Sequence, residues 1–307
     1  MDIQLIHPEL RRVIGRIPAI PFHNRGFLYV LRAVLKILPR ARGFAGGTIT
    51  EHKLKSAGLR VYRPTGEVPG AALLWIHGGG LILGNAAQDG PLCIRYAQAL
   101  GLVVVSVEYR LAPEHPFPCA LEDCLAAWHW LQANARGLRV DPARTAISGQ
   151  SAGGGLAASL AQCIRDQGGI QPAAQALFCP MLDDRTAARR ELDSVNHPIW
   201  NNRNNRGGWR WYLGQEPGAP ALPDYAVPAR REDLSGLPPA WIGVGDVDLF
   251  YEESRDYAAR LKAAGVDCRF DPVPMAPHAF ETFVPGASIS RDYLGNNHRF
   301  LGEALGL

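Results

Sequence analysis

The sequence predicts an α/β fold in which helices flank a mostly parallel central sheet. From residue 59 onward, short apolar runs alternate with helical patterns, which is typical of parallel strands joined by crossover helices. Two of the runs end in glycine-rich turns, as tight connections at the edge of a sheet require. The chain has 307 residues and is 47% hydrophobic, so it can bury one large α/β core.

Seven apolar runs are short enough to be strands and are bounded by turn residues. Their nearly continuous apolar character indicates strands that are buried on both faces, as in a parallel sheet. In chain order they cover residues 59–64, 73–76, 102–107, 146–149, 174–179, 241–244 and 268–273. Residues 120–135 and 252–264 have apolar positions at helical spacing, which predicts helices between the strands.

A glycine-flanked serine lies where a predicted strand meets a helical pattern. Residues 149–153 (GQSAG) follow the run TAIS and precede the apolar pattern AGGGLAASLAQ. A turn that lifts a hydroxyl above a sheet needs neighbours with almost no side chain, which Gly149 and Gly153 supply. Ser151 is therefore the candidate nucleophile.

A serine hydroxyl is a poor nucleophile at neutral pH and needs a base. Among nine histidines, position favours His278, which follows the predicted strand 268–273, because parallel sheets concentrate their chemistry at the carboxyl ends of strands. We expect His115, in a proline-bounded loop, to pack there. We expect His129, between two tryptophans on a predicted helix, to be partly buried.

The acid that holds the imidazole should follow another strand. Residues 240–244 lead into Gly-Asp-Val-Asp, so Asp246 and Asp248 both suit the position. Either choice gives the chain order serine, acid, histidine. This is the order of α/β-hydrolases rather than of the two common serine protease classes.

Three glycines follow the predicted strand that ends before His77. Their backbone N–H groups are not covered by side chains and suit the negative charge that develops when a carbonyl is attacked. We expect Gly78 and Gly79 to converge with Ala152, whose N–H lies in the first turn of a helix. A phosphate-binding loop is excluded, since the glycines fit neither a P-loop nor a dinucleotide fingerprint.

Five motifs together resemble the hormone-sensitive-lipase-like family of bacterial α/β-hydrolase esterases. They are residues 77–80 (HGGG), 109–118 (YRLAPEHPFP), 149–154 (GQSAGG), 245–250 (GDVDLF) and 276–280 (APHAF). The resemblance implies the α/β-hydrolase fold, with Ser151 as nucleophile, Asp248 as acid and His278 as base. It implies Gly78, Gly79 and Ala152 as oxyanion donors.

Three positions depart from the family pattern. Gln150 stands where relatives usually have Asp or Thr, Ala279 where they have Gly, and Leu249 where they often have Pro. Gln150 cannot hold a charge beside the serine, although its amide can form hydrogen bonds. Ala279 is expected to keep ordinary backbone angles. None of these changes removes a catalytic atom, so activity is still expected, whereas substrate preference and the subgroup within the family stay open.

Two segments lie outside the strand and helix alternation, namely residues 1–45 and about 185–235. As caps do in enzymes of similar sequence, they are expected to form a helical cap and an apolar pocket over a catalytic domain of residues 46–307. Within the first segment, residues 27–38 (FLYVLRAVLKIL) are too short and too charged to span a bilayer. An interfacial membrane role for them stays an alternative.

The predicted activity is hydrolysis of short- to medium-chain carboxylic esters through an acyl-enzyme, without metal or organic cofactor. It should rise with pH near 6.5, the unperturbed histidine pKa. The same triad could cleave amides or lactones, or act as a lipase at an oil interface. A non-catalytic receptor, like the plant gibberellin receptors that the family resembles, lacks the histidine, so His278 argues against it.

Charge and cysteine usage limit the partners and the location. The net charge of +3 comes from 32 basic and 29 acidic residues without a long basic run, so nucleic-acid binding is not expected. We expect a cytoplasmic protein without stable membrane insertion, whose six cysteines are reduced and which has no secretory leader. A homodimer is suggested only by analogy with relatives.

Overall fold

A nine-stranded sheet forms the centre of the molecule in the computed structural model, which describes residues 1–37, 40–66 and 68–307. The strands are β1 (Gly43–Phe44), β2 (Gly47–Lys53), β3 (Gly58–Pro64), β4 (Ala72–Ile76), β5 (Val103–Glu108), β6 (Thr145–Gln150), β7 (Gln175–Phe178), β8 (Ala240–Gly245) and β9 (Cys268–Val273). Their spatial order is β1-β2-β3-β5-β4-β6-β7-β8-β9. Three pairs are antiparallel, namely β1 with β2, β2 with β3 and β3 with β5. The other five pairs are parallel.

Ten α-helices accompany the sheet in the described ranges. They are α1 (Pro8–Ile14), α2 (Arg25–Ile37), α3 (Gly90–Leu100), α4 (Cys119–Leu138), α5 (Ala152–Gln167), α6 (Asp184–Ala188), α7 (Asn202–Leu213), α8 (Tyr251–Ala263), α9 (Phe280–Phe283) and α10 (Ser288–Leu305). The predicted α/β class with a mostly parallel sheet is confirmed. Each of the seven predicted strands lies within one residue of an observed one.

The prediction missed β1 and β2. Most side chains of β2 are exposed, so the strand lacks the buried apolar run by which the others were found. It pairs with β3 through the backbone over its whole length, and such pairing leaves no mark on side-chain hydropathy.

Alternating residues of β4 divide the core into two layers. Leu74 and Ile76 pack on one face with Leu156 of α5, whereas Leu73 and Trp75 pack on the other face with residues of α1, α3 and α10. This period of two follows from the pleat of a strand, whose successive side chains point to opposite faces. The sheet is thus covered on both sides, and its carboxyl edge is left for loops.

The two segments outside the alternation contact each other. Asn204 of α7 donates from Nδ2 to the Ile20 carbonyl at 2.9 Å, and its Oδ1 lies 2.9 Å from Nδ1 of His23. Helix α1 instead buries Leu10 and Ile14 in the core on the opposite side of the sheet. The division into a cap and a catalytic domain stays a prediction, and residues 38, 39 and 67 of these two parts lie outside the described residues.

No described helix is both long enough and apolar enough to cross a membrane. The six cysteines are free thiols, and all but Cys119 are buried.

Candidate active site

Ser151 occupies a tight turn, the serine turn (residues 149–153), between β6 and α5. Its backbone has φ 57° and ψ −120°, a conformation that L-residues rarely adopt. A Cβ on Gly149 would lie 2.3 Å from the Gly153 carbonyl oxygen, and one on Gly153 would lie 2.0 Å from the Ile76 oxygen. The turn therefore needs glycine at both positions, as the sequence indicated.

The side chains of Ser151, His278 and Asp248 form a continuous hydrogen-bonded chain. Nε2 of His278 lies 2.9 Å from Oγ of Ser151, and Nδ1 lies 2.8 Å from Oδ2 of Asp248. A carboxylate only accepts hydrogen bonds, so Nδ1 holds the proton and Nε2 is free to accept one from the serine. The three residues are only 4–5% exposed, so their hydrogen bonds are largely shielded from bulk solvent.

The two candidate aspartates have different contacts. Asp248 accepts the Phe250 amide on Oδ1 at 2.9 Å, which leaves Oδ2 directed at His278. Asp246 is exposed and accepts the Met275 amide at 2.6 Å. It therefore ties the loop after β8 to the loop after β9, and only Asp248 contacts the imidazole.

The other candidate histidines lie elsewhere. His115 and His129 are both exposed, so the expectations of a packed loop residue and of a partly buried helix residue are wrong. His129 lies on the outward face of α4, whereas its neighbour Trp128 is buried. A helix places successive residues on different faces, so flanking tryptophans do not bury the residue between them.

Residues 77–80, the glycine loop, pass directly against the serine turn. His77 stacks on Tyr109 with ring centroids 4.1 Å apart, and the Tyr109 hydroxyl donates to the His77 carbonyl at 3.0 Å. Burial lowers the pKa of His77, and Nδ1 donates to the Gly78 carbonyl at 2.8 Å. His77 therefore supports the loop as a neutral side chain.

The glycine loop leaves backbone donors near Ser151. A Cβ on Gly78 would lie 3.3 Å from the serine Cβ and 2.9 Å from the Gln150 oxygen. Gly79 has φ 121°, and a Cβ there would lie 2.1 Å from the Leu83 oxygen. Among the described residues, the Gly78 and Gly79 amides donate to no protein acceptor. Ala152 begins α5, where the first amides also lack helical partners.

Glu281 is a buried acid near His278, and it was not predicted from the sequence. Gln150 donates from Nε2 to its Oε1 at 2.6 Å and to the Thr282 hydroxyl at 2.9 Å. Burial raises the pKa of Glu281 to about 7, and its Oε2 has no partner within the described ranges. Gln150, which replaces the usual Asp or Thr of the family, was the one sign in the sequence that this site is unusual. It does not show which residue Gln150 contacts, because Glu281 lies 131 positions further along the chain.

The backbone of Ala279 differs from the prediction. It has φ 52° and ψ 29°, which is the left-handed region, so the expectation of ordinary angles is wrong. The chain must turn sharply between His278 and α9, and this turn sets the backbone whatever the residue. An L-residue there costs roughly 1–2 kcal/mol.

A cavity of 250 Å³ opens beside Ser151 and has mostly apolar walls. Trp200 lies across the glycine loop, since a Cβ on Gly80 would meet its ring at 2.2 Å. Its ring stacks on Phe22 with centroids 5.6 Å apart. The sequence analysis missed Phe22, which only the contact between distant segments brings to the pocket.

Cys179, Asp248 and His278 bring one potential metal-ligand atom each within 4.8 Å of the others. However, the last two are bonded to each other, and burial raises the pKa of Cys179 well above its usual value. A protonated thiol is a weak ligand. His278 and Asp248 are therefore better placed to take a proton from Ser151 than to bind a metal together with Cys179.

A serine, a histidine and an acid at the carboxyl edge of a mostly parallel sheet define the α/β-hydrolase class. A family model described as the alpha/beta hydrolase fold matches residues 73–282. The chain therefore belongs to this family, in its hormone-sensitive-lipase-like branch, as the five motifs predicted.

Relatives and solved structures agree with this assignment. The chain is 35% identical over 236 residues to "Esterase LipI" of Mycobacterium tuberculosis, covering 75% of this chain and 70% of that protein. It is 33% identical over 301 residues to "Carboxylesterase NlhH" of the same species, covering 92% of each. The structure of "Bacterial Heroin Esterase" superposes with a TM-score of 0.89 at 34% identity and 99% coverage of both chains. The predictions of the fold and of an ester-hydrolysing enzyme class are confirmed.

Proposed function

We propose that the protein is a serine carboxylesterase that hydrolyses short- to medium-chain esters through an acyl-enzyme. The observation that supports this most strongly is the pair of hydrogen bonds from His278, at 2.9 Å to Ser151 and 2.8 Å to Asp248. Esterase relatives that cover most of the chain support the same reaction class.

In the acylation step, Oγ of Ser151 attacks the ester carbonyl carbon while Nε2 of His278 takes the hydroxyl proton. Asp248 stabilises the imidazolium through the bond to Nδ1. The tetrahedral intermediate then collapses, and the C–O bond to the alcohol breaks as Nε2 returns the proton to the leaving oxygen. Water repeats the sequence on the acyl-enzyme and releases the acid.

The oxyanion is assigned to the amides of Gly78, Gly79 and Ala152. Fixed N–H dipoles directed at developing charge are worth about 2.7–4 kcal/mol per donor in the transition state. Within the described part of the chain the first two donate to no protein acceptor, and Gly78 closely approaches Ser151, which supports their assignment. The third lies at the positive end of the α5 dipole.

Short substrates are favoured by the size of the pocket. Its volume of 250 Å³ is below the range of about 300–1,000 Å³ that is usual for drug-sized ligands. Trp200 closes one wall and Phe22 supports it. We assign these side chains to the predicted cap, formed by residues 1–45 and about 185–235 over the catalytic domain of residues 46–307.

The test is a series of p-nitrophenyl esters from acetyl to octanoyl, assayed with the wild type and with Ser151→Ala, Trp200→Ala and Trp130→Ala. We expect the wild type to prefer short chains and Ser151→Ala to show no turnover above background. Trp200→Ala should move the relative rates towards longer chains. Trp130, on α4 against His52, lies outside the pocket, so its variant should keep the wild-type profile.

Two results would count against the proposal. Retained turnover in Ser151→Ala would remove the serine from the mechanism. An unchanged chain-length profile in Trp200→Ala would show that the Trp200 side chain does not limit the acyl group. It would not affect the proposed reaction class.

A further inference from the structure

Helix α2 exposes an apolar stripe, formed by Phe27, Val30, Val34 and Ile37. These side chains are 38%, 64%, 46% and 81% exposed, and their spacing of three and four residues puts them on one face of the helix. Leu28, on a different face, is fully buried in the core. The helix is thus anchored by one face and presents a second apolar face outward.

Arg32 fixes the orientation of α2 on the body of the protein. Its Nε donates to the Ile82 carbonyl at 2.6 Å, and Nη1 lies 2.7 Å from the Glu114 carboxylate. A further bond reaches the Ala112 carbonyl. A rotation of α2 that buried the apolar stripe would break these contacts of Arg32. The contacts therefore keep the stripe exposed.

The charge of the chain is concentrated in the segment that contains α2. Residues 25–45 have five Lys and Arg and no Asp or Glu, a formal net charge of +5. The whole chain has +3, so all other residues together have −2. A second copy of the chain would bring a like-charged segment to this face, whereas an anionic surface would meet its complement.

A basic cavity of 1220 Å³ adjoins α2. It is far larger than the serine pocket, but its described lining residues include no serine, threonine or cysteine, so size alone does not make it the catalytic site. Arg32 of α2 lines it together with Arg40 and Arg42, which follow the helix, and with Arg60 and Arg110. Glu51, Glu108 and Glu114 are also in its wall. Arg32, Arg60 and Arg110 pair with carboxylates. Arg40 and Arg42 are exposed and form no ion pair among the described residues, so these two guanidinium groups suit phosphate oxygens.

We propose that α2 docks the enzyme on the surface of an anionic phospholipid bilayer. The apolar stripe enters the boundary between headgroups and acyl chains, and the neighbouring arginines contact the lipid phosphates. A basic amphipathic helix with an aromatic and aliphatic face is the usual device for such peripheral binding. Phe22 lines the serine pocket and lies three residues before α2, so docking brings that pocket near apolar esters dissolved in the bilayer.

The test is sedimentation of the full-length protein with vesicles of phosphatidylglycerol and phosphatidylcholine, or of phosphatidylcholine alone. The wild type should bind the anionic vesicles and bind the neutral ones at least tenfold more weakly. Binding should be lost near 0.5 M salt, because ions screen the attraction between the arginines and the lipid phosphates. Val30→Gln/Val34→Gln should reduce binding by about tenfold or more. Arg40→Gln/Arg42→Gln should reduce it by roughly fivefold per arginine.

Ile170→Gln is the matched control, since Ile170 is as exposed as Val34, at 46%, but lies outside the segment. It should bind like the wild type, and all variants should retain hydrolysis of a water-soluble ester. Wild-type protein that binds neither vesicle, or a Val30→Gln/Val34→Gln variant that binds normally, would overturn the proposal. So would a wild-type dimer that these two substitutions convert to monomer, because the stripe would then be an interface between copies.

Discussion

Glu281 connects solution pH to the stability of the protein around the serine turn. Burial raises the pKa of its carboxyl to about 7 in the folded protein, whereas the unfolded chain has the ordinary pKa of 4.5. Between these pH values the folded protein holds a proton that the unfolded chain has released. The free energy of unfolding should therefore fall as pH rises from about 4.5 to 7, by on the order of 3 kcal/mol from this group.

Glu281→Gln is expected to flatten that pH dependence, because the amide keeps the shape of the side chain and has no proton to release. Urea unfolding at pH 5 and at pH 8 measures the difference. Glu216→Gln, at an exposed position paired with Arg210, is the control and should follow the wild type. A Glu281→Gln variant with the full wild-type pH dependence would show that this carboxyl titrates normally.

Asparagine variants separate the two aspartates after β8. Asp248→Asn should lower kcat by about 10⁴-fold, since the amide can favour the wrong imidazole tautomer. Asp246→Asn should keep kcat within about tenfold and instead lower the free energy of unfolding by roughly 1–2 kcal/mol, through its weakened bond to the Met275 amide. Steady-state rates and urea unfolding of both variants provide the comparison, and equal losses of kcat would contradict it.

Single residues differ in how far the sequence predicts them. Ser151 and His278 follow from local motifs, since each needs a particular turn after a strand. Asp248 needed the family resemblance, because nothing local separates it from Asp246. The contact of Gln150 with Glu281 depends on packing between β6 and α9, so no local pattern contains it.

Helix α5, which begins directly after Ser151, packs so closely on β4 that position 153 has no room for a Cβ. Gly153→Ala would place a methyl group 2.0 Å from the Ile76 oxygen, so α5 must move away from β4. We expect a loss of about 3 kcal/mol or more in the free energy of unfolding and a large loss of activity.

Gly302→Ala is the same chemical change in α10, where a Cβ meets nothing within 4 Å. It should stabilise the protein by up to about 1 kcal/mol, because alanine is the better helix former. Urea unfolding and ester hydrolysis of the two variants measure both effects. Similar values for the pair would mean that the close approach at Gly153 does not constrain the serine turn.

Elements buried on two faces were predictable, and the exposed edge of the sheet was not. Strand β6 is completely buried, so its composition alone marks it as a strand. Strand β2 has mostly exposed side chains and is defined by its pairing with β3. Hydropathy reports burial rather than pairing, which accounts for the difference.

At the scale of the whole molecule, the cavity beside Ser151 joins parts of the chain that are far apart in sequence. Phe22 and Trp200 meet over the glycine loop, so the dimensions of the pocket could not be derived from the sequence, whereas the candidate catalytic residues were named from local motifs. The same N-terminal segment supplies Phe22, the apolar stripe and a local excess of positive charge. The proposed acyl pocket and the proposed membrane docking therefore both involve this segment.

The central claim is that Ser151 becomes acylated during turnover. Wild-type protein mixed with p-nitrophenyl acetate, quenched in acid within the first turnovers and digested, should give a peptide containing Ser151 that is heavier by one acetyl group. Ser151→Ala should give neither that adduct nor turnover above background. An acetyl group on a different residue, or undiminished hydrolysis by Ser151→Ala, would contradict the account.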